Sequence, residues 1–201
     1  MKVAILASGN GSNFEAIVKA VEKGKLKGIK VALLITDKKE AFVRKRAQKH
    51  KIKDIFIDPK NFKNRVLFDK YIVNILKKEN IELVILAGFM RILSPYFVKV
   101  FKNRILNIHP ALLPAFKGVD AIKRAYNYGV KVTGVTIHFV NEDVDCGPII
   151  LQTPLCIREG ENLKNLEKRI HKLEHKLYPE AIKLFTERKL KIKKRKVIIS
   201  S

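Results

Sequence analysis

Asn107 and His109 stand two residues apart at the end of an apolar run, in the stretch "ILNIHPALLPAF". Residues i and i+2 of extended backbone point the same way, so an amide and an imidazole would project to one side. An amide N–H can donate to a carbonyl oxygen that is gaining charge, and an imidazole can trade a proton near neutral pH. Pro110 and Pro114 stiffen the chain behind them. A structural Asn–His pair that satisfies backbone groups at a strand end explains the same spacing. A second constellation is "NEDVDCGP", with three acids within residues 141–145, before a Gly-Pro turn. Asp145 is the acid placed to face His109, where its charge would favour the charged imidazole and raise its pKa. Glu142 and Asp143 read as solvated loop acids.

A third feature is "SGNGSN", residues 8–13, a Gly-rich turn entering a helix, where backbone N–H groups suit a phosphate. It lacks the third Gly of the dinucleotide fingerprint and the Lys of a P-loop, and a plain capped turn explains it as well. His171 and His175 have the i, i+4 spacing of metal ligands, but no third ligand follows at usual spacing, so no metal site is assigned. His138, within an alternating strand pattern, reads as structural. Cys146 reads as a small buried thiol rather than a nucleophile. With Cys156 it has neither metal spacing nor a disulfide framework.

The elements that must carry these groups alternate. Strands are expected at residues 2–7, 29–35, 54–57, 83–87 and 104–108. Helices are expected at 14–21, on the face of Phe14, Ile17, Val18 and Val21, and at 40–50. A third helix carries Leu67, Phe68, Tyr71, Ile72, Ile75 and Leu76. A short one starts at Ser94-Pro95, with Ser as cap and Pro in the first turn. Alternation of near-continuous apolar strands with helices predicts an α/β fold, a doubly wound, largely parallel sheet. Ligands of such sheets bind beyond the carboxyl ends of the strands. After a helix at 119–128 the texture changes. Residues 130–140 alternate and "CGPIILQ" restarts a strand, which predicts mixed or antiparallel C-terminal strands. A long helix follows with Leu163, Leu166, Ile170, Leu173 and Leu177 on one face and Pro179 bending or interrupting it. Residues 191–199 read as a final strand. One domain is expected, with halves at about 1–105 and 106–201.

The chain has 201 residues, 47% of them hydrophobic, enough for a full core. No apolar stretch approaches the ~18 residues needed to cross a bilayer, and the N-terminus leads into a turn rather than a cleavage site. A cytoplasmic protein with no membrane partner is expected. The formal charge of +23 favours anionic partners: nucleic acid, headgroups, or phosphorylated and carboxylated small molecules. Lysines are spread throughout, except that seven of the nine residues 188–196 are basic, "RKLKIKKRK". That segment reads as a solvated edge strand guarded by lysines.

The motifs "LASGNGSN", "LAGFMRILSP", "LNIHPALLP", "GVTIHFVNEDVDCGPIILQ" and "EHKLYPEAI" occur here in one order across nearly the whole chain. In them the sequence resembles the folate-dependent glycinamide ribonucleotide formyltransferase family. The resemblance implies a Rossmann-like formyltransferase fold, a nucleotide-binding half, and a folate cleft between it and the C-terminal strands. It implies formyl transfer from 10-formyltetrahydrofolate, as co-substrate, to phosphoribosylglycinamide in purine synthesis. It makes Asn107, His109 and Asp145 the catalytic trio. Gly11, Ser12 and Asn13 become the phosphate loop, and His171, Lys172, Leu173 and Glu174 a further ribonucleotide contact. Arg65, Met90, Arg91, Ile92 and Leu93, with Asn107 and the loop Asn141, Glu142, Asp143, Val144 and Asp145, become the folate contacts. No metal is required, and a monomer or homodimer is expected. The rivals are a methionyl-tRNA formyltransferase, which suits the charge but would carry a C-terminal tRNA-binding domain; a formyltetrahydrofolate hydrolase, which would carry an N-terminal regulatory domain; and a nucleic-acid-binding module without catalysis. Small-molecule substrates are favoured over nucleic acid.

Neutralising the five basic residues within 191–196 is expected to leave formyl transfer to the ribonucleotide within a few-fold of wild type, because distant exposed charges are screened at physiological salt. Steady-state assays beside tRNA binding at two salt concentrations check this. Tight tRNA binding that needs the segment and survives physiological salt would contradict it.

Overall fold

In the computed structural model residues 1–200 are described. β1 (Lys2–Leu6), β2 (Lys30–Thr36), β3 (Lys53–Phe56), β4 (Leu83–Leu86), β5 (Ile105–His109), β6 (Val132–Phe139) and β7 (Ile149–Cys156) form one sheet, in the order β3-β2-β1-β4-β5-β6-β7. β1 pairs in parallel with both β2 and β4, and β2 with β3, while β6 and β7 are antiparallel. The α/β, largely parallel architecture with antiparallel C-terminal strands is the one expected. Two compact units divide the chain, Met1–Leu106 and Asn107–Ser201.

In the first unit β1 is apolar and buried from Val3 to Leu6, as a strand covered on both faces must be. α1 (Ser12–Glu22) buries Phe14, Ile17 and Val18. α2 (Val43–Lys49) is shorter than expected, and a single 3₁₀ turn (Pro59–Asn61) precedes α3 (Arg65–Lys78). The buried stripe of α3 is Phe68, Asp69, Ile72, Val73 and Leu76. Leu67 and Tyr71, expected inside, are 42% and 50% exposed. The stripe turns because Asp69 accepts a 2.5 Å bond from the Ser94 backbone N–H, which draws a carboxylate into the core face. Ser94 in turn caps α4 (Pro95–Val100), accepting from the Phe97 N–H.

In the second unit α5 (Ala121–Tyr128) and α6 (Leu163–Thr186) join β6 and β7. Pro179 does not interrupt α6, which runs unbroken through it. The expected final strand is two: β8 (Leu190–Lys193) and β9 (Lys196–Ile199) form a separate antiparallel hairpin rather than an edge of the main sheet. Leu190 faces Ile199 and Ile192 faces Val197, so one side is apolar. Lys193 lies opposite Lys196 on the other, which carries the exposed lysines. Gly134 in β6 is required by close approach, since a Cβ there would lie 2.3 Å from the Thr153 carbonyl oxygen and 2.6 Å from Leu112 Cδ2. Gly134→Ala is expected to destabilise the protein by about 1–3 kcal/mol, as overpacking does. Gly9→Ala, whose Cβ meets nothing within 4 Å, should stay within about 0.5 kcal/mol of wild type. Denaturant midpoints of the two variants check the contrast.

Candidate active site

β5 carries Asn107 and His109 with the parity expected, at its carboxyl end. The chain beyond it is held by side chains of the next two strands. Thr136 on β6 donates to the Ala111 carbonyl (2.7 Å) and accepts from the Leu113 N–H (3.1 Å). Gln152 on β7 donates to the Leu113 carbonyl (2.8 Å). The Leu113-Pro114 bond is cis. These bonds, rather than the prolines alone, fix the loop that returns Phe116 and Gly118 to His109 and Asp145.

The Asp145 carboxylate is the hub. Its Oδ2 accepts from the Gly118 N–H at 2.8 Å and lies 3.3 Å from His109 Nδ1. Its Oδ1 accepts from Asn107 Nδ2 at 3.3 Å and lies 3.6 Å from His138 Nε2. Burial alone would raise the Asp145 pKa. The contact with His138, the Gly118 N–H and the electrostatic influence of the two imidazoles outweigh it, and the carboxyl is held below its ordinary value.

His138 therefore belongs to the cluster, although its place in an alternating strand suggested a purely structural role. Its Nδ1 donates to the Phe139 carbonyl (2.8 Å), which leaves Nε2 as the acceptor for Asn107 Nδ2 at 3.1 Å. Asn107 thus directs its amide protons to His138 and Asp145. The reverse amide orientation would set two acceptor oxygens against each other. The only local signal for His138 was a ring-bearing polar residue in an otherwise buried strand.

For His109 the direction of the pKa shift is opposite to the one expected. Burial is the largest influence and lowers it. Asp145 and the Phe116 carbonyl raise it, His138 lowers it and Glu174 raises it, and the net value lies below the ordinary one. Only 4% of the side chain is exposed, and desolvation penalises the charged ring more than one carboxylate at 3.3 Å compensates. The ring is held neutral, with Nε2–H donating to the Phe116 carbonyl at 2.9 Å and the Nδ1 lone pair turned toward Asp145.

The other expected residues lie as follows. In the second unit Glu142, Asp143 and Val144 are exposed, and Asn141 Oδ1 is buried with no hydrogen-bond partner. On α6, His171 Nδ1 lies 2.9 Å from Glu174 Oε2, and this contact is the main cause of a raised His171 pKa. Glu174 is buried; Lys172 is exposed and Leu173 half-buried. In the first unit Gly11 has φ +75, Ser12 opens α1 and Asn13 is buried. Arg65 opens α3 and is exposed, while Leu93 is buried. Met90 and Ile92 are 69% and 54% exposed. The Met90 N–H donates to Ser8 Oγ (2.9 Å), Arg91 stacks over Phe68 (4.8 Å), and Arg91 Nε is buried with no partner. Asp69, which the sequence pattern hid, lies close enough to Arg65 and Arg91 to feel both charges, yet burial dominates and raises its pKa. Among the described residues no group of three or more His, Cys, Asp or Glu could hold a metal ion, and no helix is long and apolar enough to cross a membrane.

The carboxyl end of β5 thus gathers an acid, two imidazoles and an amide, groups whose chemistry suits proton transfer. Residues 1–182 match the formyl transferase family, and the chain belongs to that family and is a formyltransferase. It is 45% identical over 182 residues to the phosphoribosylglycinamide formyltransferase of Bacillus subtilis, covering 90% of this chain and 93% of that one. The crystal structure of glycinamide ribonucleotide transformylase 1 from Symbiobacterium toebii superposes with a TM-score of 0.97 at 41% identity, covering 100% of this chain and 94% of that one. That of phosphoribosylglycinamide formyltransferase from Bacillus halodurans gives 0.89 at 45%, covering 91% and 94%.

The His109 ring is expected to titrate below the ordinary value of about 6.5 in the free enzyme. Asp145→Asn removes a charge that favours the imidazolium and should move the midpoint lower still. NMR titration of the His109 ring protons checks both, and a midpoint above 6.5 would refute the buried, neutral resting state. Because the unfolded chain then takes up the proton first, His109 contributes a loss of stability as pH falls through about 6.5.

Proposed function

We propose that the chain transfers the formyl group of 10-formyltetrahydrofolate to the amine of 5'-phosphoribosylglycinamide, a step of purine synthesis in the cytoplasm. The observation that carries this reading is the Asn107–His109–Asp145 cluster, completed by His138, in a formyltransferase chain. The amine attacks the formyl carbon, and the carbonyl oxygen takes up negative charge. His109, neutral at rest, accepts the proton that the amine sheds, directly or over a water, at Nδ1. The ring then presents a donor to both Asp145 Oδ2 and the Phe116 carbonyl, so the acceptors built around it match the charged form. The imidazolium stabilises the oxyanion. Asn107 reaches the same oxygen by exchanging its 3.3 Å bond to Asp145, the longer of its two, for one to the substrate. Collapse of the tetrahedral intermediate expels the folate nitrogen, which recovers the proton from His109, so protons balance over the cycle.

The folate reading draws on two orphaned buried atoms. Arg91 Nε is a donor and Asn141 Oδ1 an acceptor, and neither has a protein partner. The acceptor edge of a pterin would satisfy the Arg91 donor, and the exposed Met90 and Ile92 beside it in the sequence offer apolar surface to a flat ring. Arg65 and residues 90–93 and 141–145 are the proposed folate contacts. Gly11, Ser12 and Asn13 are proposed to hold the ribonucleotide phosphate on the N–H groups that open α1. His171 to Glu174 are proposed to contact the rest of that substrate.

His109→Ala and Asp145→Asn are each expected to lower kcat by about 100-fold or more, with KM values within a few-fold, since both act on charge formed in the transition state. The assay offers 10-formyltetrahydrofolate with glycinamide ribonucleotide, with charged initiator tRNA, and with water alone. Transfer to the ribonucleotide supports the assignment. Transfer only to tRNA, or hydrolysis alone, would refute it, and wild-type turnover in either variant would refute the roles given to the cluster.

A further inference from the structure

The Gly-rich turn at the start of α1 is not self-supporting, and α2 holds it. The Val43 N–H donates to the Gly9 carbonyl (3.1 Å), and the Val43 side chain fills the space beside Gly11, where a Cβ would lie 2.4 Å from Val43 Cγ2. One turn along α2, Arg46 grips Asn10 twice. Its Nε donates to the Asn10 backbone carbonyl at 2.9 Å and its Nη2 to the Asn10 side-chain oxygen at 3.0 Å. The C=O and N–H of a planar trans peptide point in opposite directions. Pinning the Asn10 carbonyl on Arg46 therefore aims the Gly11 N–H the other way, with the Asn10 side chain held back from that path.

Arg46 is itself held. Its Nη1 lies 3.4 Å from Glu15 Oε2, in the first turn of α1, and its guanidinium lies 5.0 Å from the centre of the Phe42 ring. Glu15 also meets Lys19 Nζ at 3.1 Å and His50 Nε2 at 3.1 Å, and His50 Nδ1 meets Glu22 at 2.6 Å. A carboxylate in the first turn of α1 would repel an anion bound there. Lys19 and Arg46 offset that charge, and the His50 ring packs against the same carboxylate.

We propose that Arg46 is a positioning residue for the ribonucleotide phosphate, and that His50 supports it through Glu15. This rests on the reading of Gly11 to Asn13 as the phosphate loop. Arg46 does not touch the phosphate; its forked contact sets the direction of the N–H groups that do. The fork needs two donors in one plane, which Lys cannot supply.

The experiment measures kcat and both KM values for Arg46→Ala, Arg46→Lys, His50→Gln, the double variant Arg46→Ala/His50→Gln and Asn13→Ala, with thermal midpoints alongside. Arg46→Ala should raise the KM for glycinamide ribonucleotide about tenfold, leaving kcat and the KM for 10-formyltetrahydrofolate within twofold. Arg46→Lys should stay close to Arg46→Ala despite keeping the charge. His50→Gln should raise the same KM two- to fivefold and add nothing in the double variant, because both act on one contact. If Asn13→Ala raises the ribonucleotide KM and Arg46→Ala does not, the positioning role is overturned and the phosphate loop stands. If neither moves it, both fall. Full rescue by Lys would overturn the fork, and a joint loss of kcat, both KM values and thermal midpoint in Arg46→Ala would overturn positioning in favour of a folding defect.

Discussion

Burying a carboxylate costs several kcal/mol unless donors meet it, and in the second unit the donors that meet Asp145 come from two separate segments. The Gly118 N–H comes from the loop after β5 and the Asn107 amide from β5 itself, while the His138 ring of β6 accepts from the same amide. Asp145 is left-handed, at φ 51, a conformation uncommon for a residue with a Cβ though tolerated best by Asp and Asn. The surrounding bonds hold that backbone in place. Orientation of the amide and placement of the loop follow from satisfying one negative charge, while the Phe116 and Phe139 carbonyls set the tautomers of the two imidazoles.

The same charge explains why His109 is not simply an ion pair. Coulomb attraction over 3.3 Å favours the imidazolium, but loss of water from an almost fully buried ring opposes it more strongly. The ring rests neutral inside a shell of acceptors that suits its protonated form. Such a shell lowers the cost of protonating the ring without storing the proton beforehand.

Much of this was legible in the sequence. The β–α alternation, the parity of Asn107 and His109, and Asp145 as the acid that faces His109 all depend on local pattern or on types and spacing. The failures share one cause. The inward turn of α3, the membership of His138 in the cluster and the direction of the His109 shift each depend on a contact or a degree of burial set by residues far along the chain. Leu67 and Tyr71 fit an apolar stripe on α3 until Asp69 finds Ser94. An isolated histidine in a buried strand carries no local sign of Asn107. The lysine alternation of residues 191–199 looks the same in an edge strand and in a hairpin, and only the turn between Lys193 and Lys196 distinguishes them.

The bond from the Gly118 amide to Asp145 Oδ2 gives the cluster a backbone witness to its own charge state. That proton is deshielded by a full negative charge at 2.8 Å, so its resonance shifts whenever the carboxylate shares its charge with a newly protonated ring. It belongs to a glycine, whose signals fall in an uncrowded region of an amide correlation spectrum. It also sits on the main chain, where no substitution is needed to observe it. The charge state of the cluster can thus be followed in the unaltered protein, through a group that takes no part in the reaction.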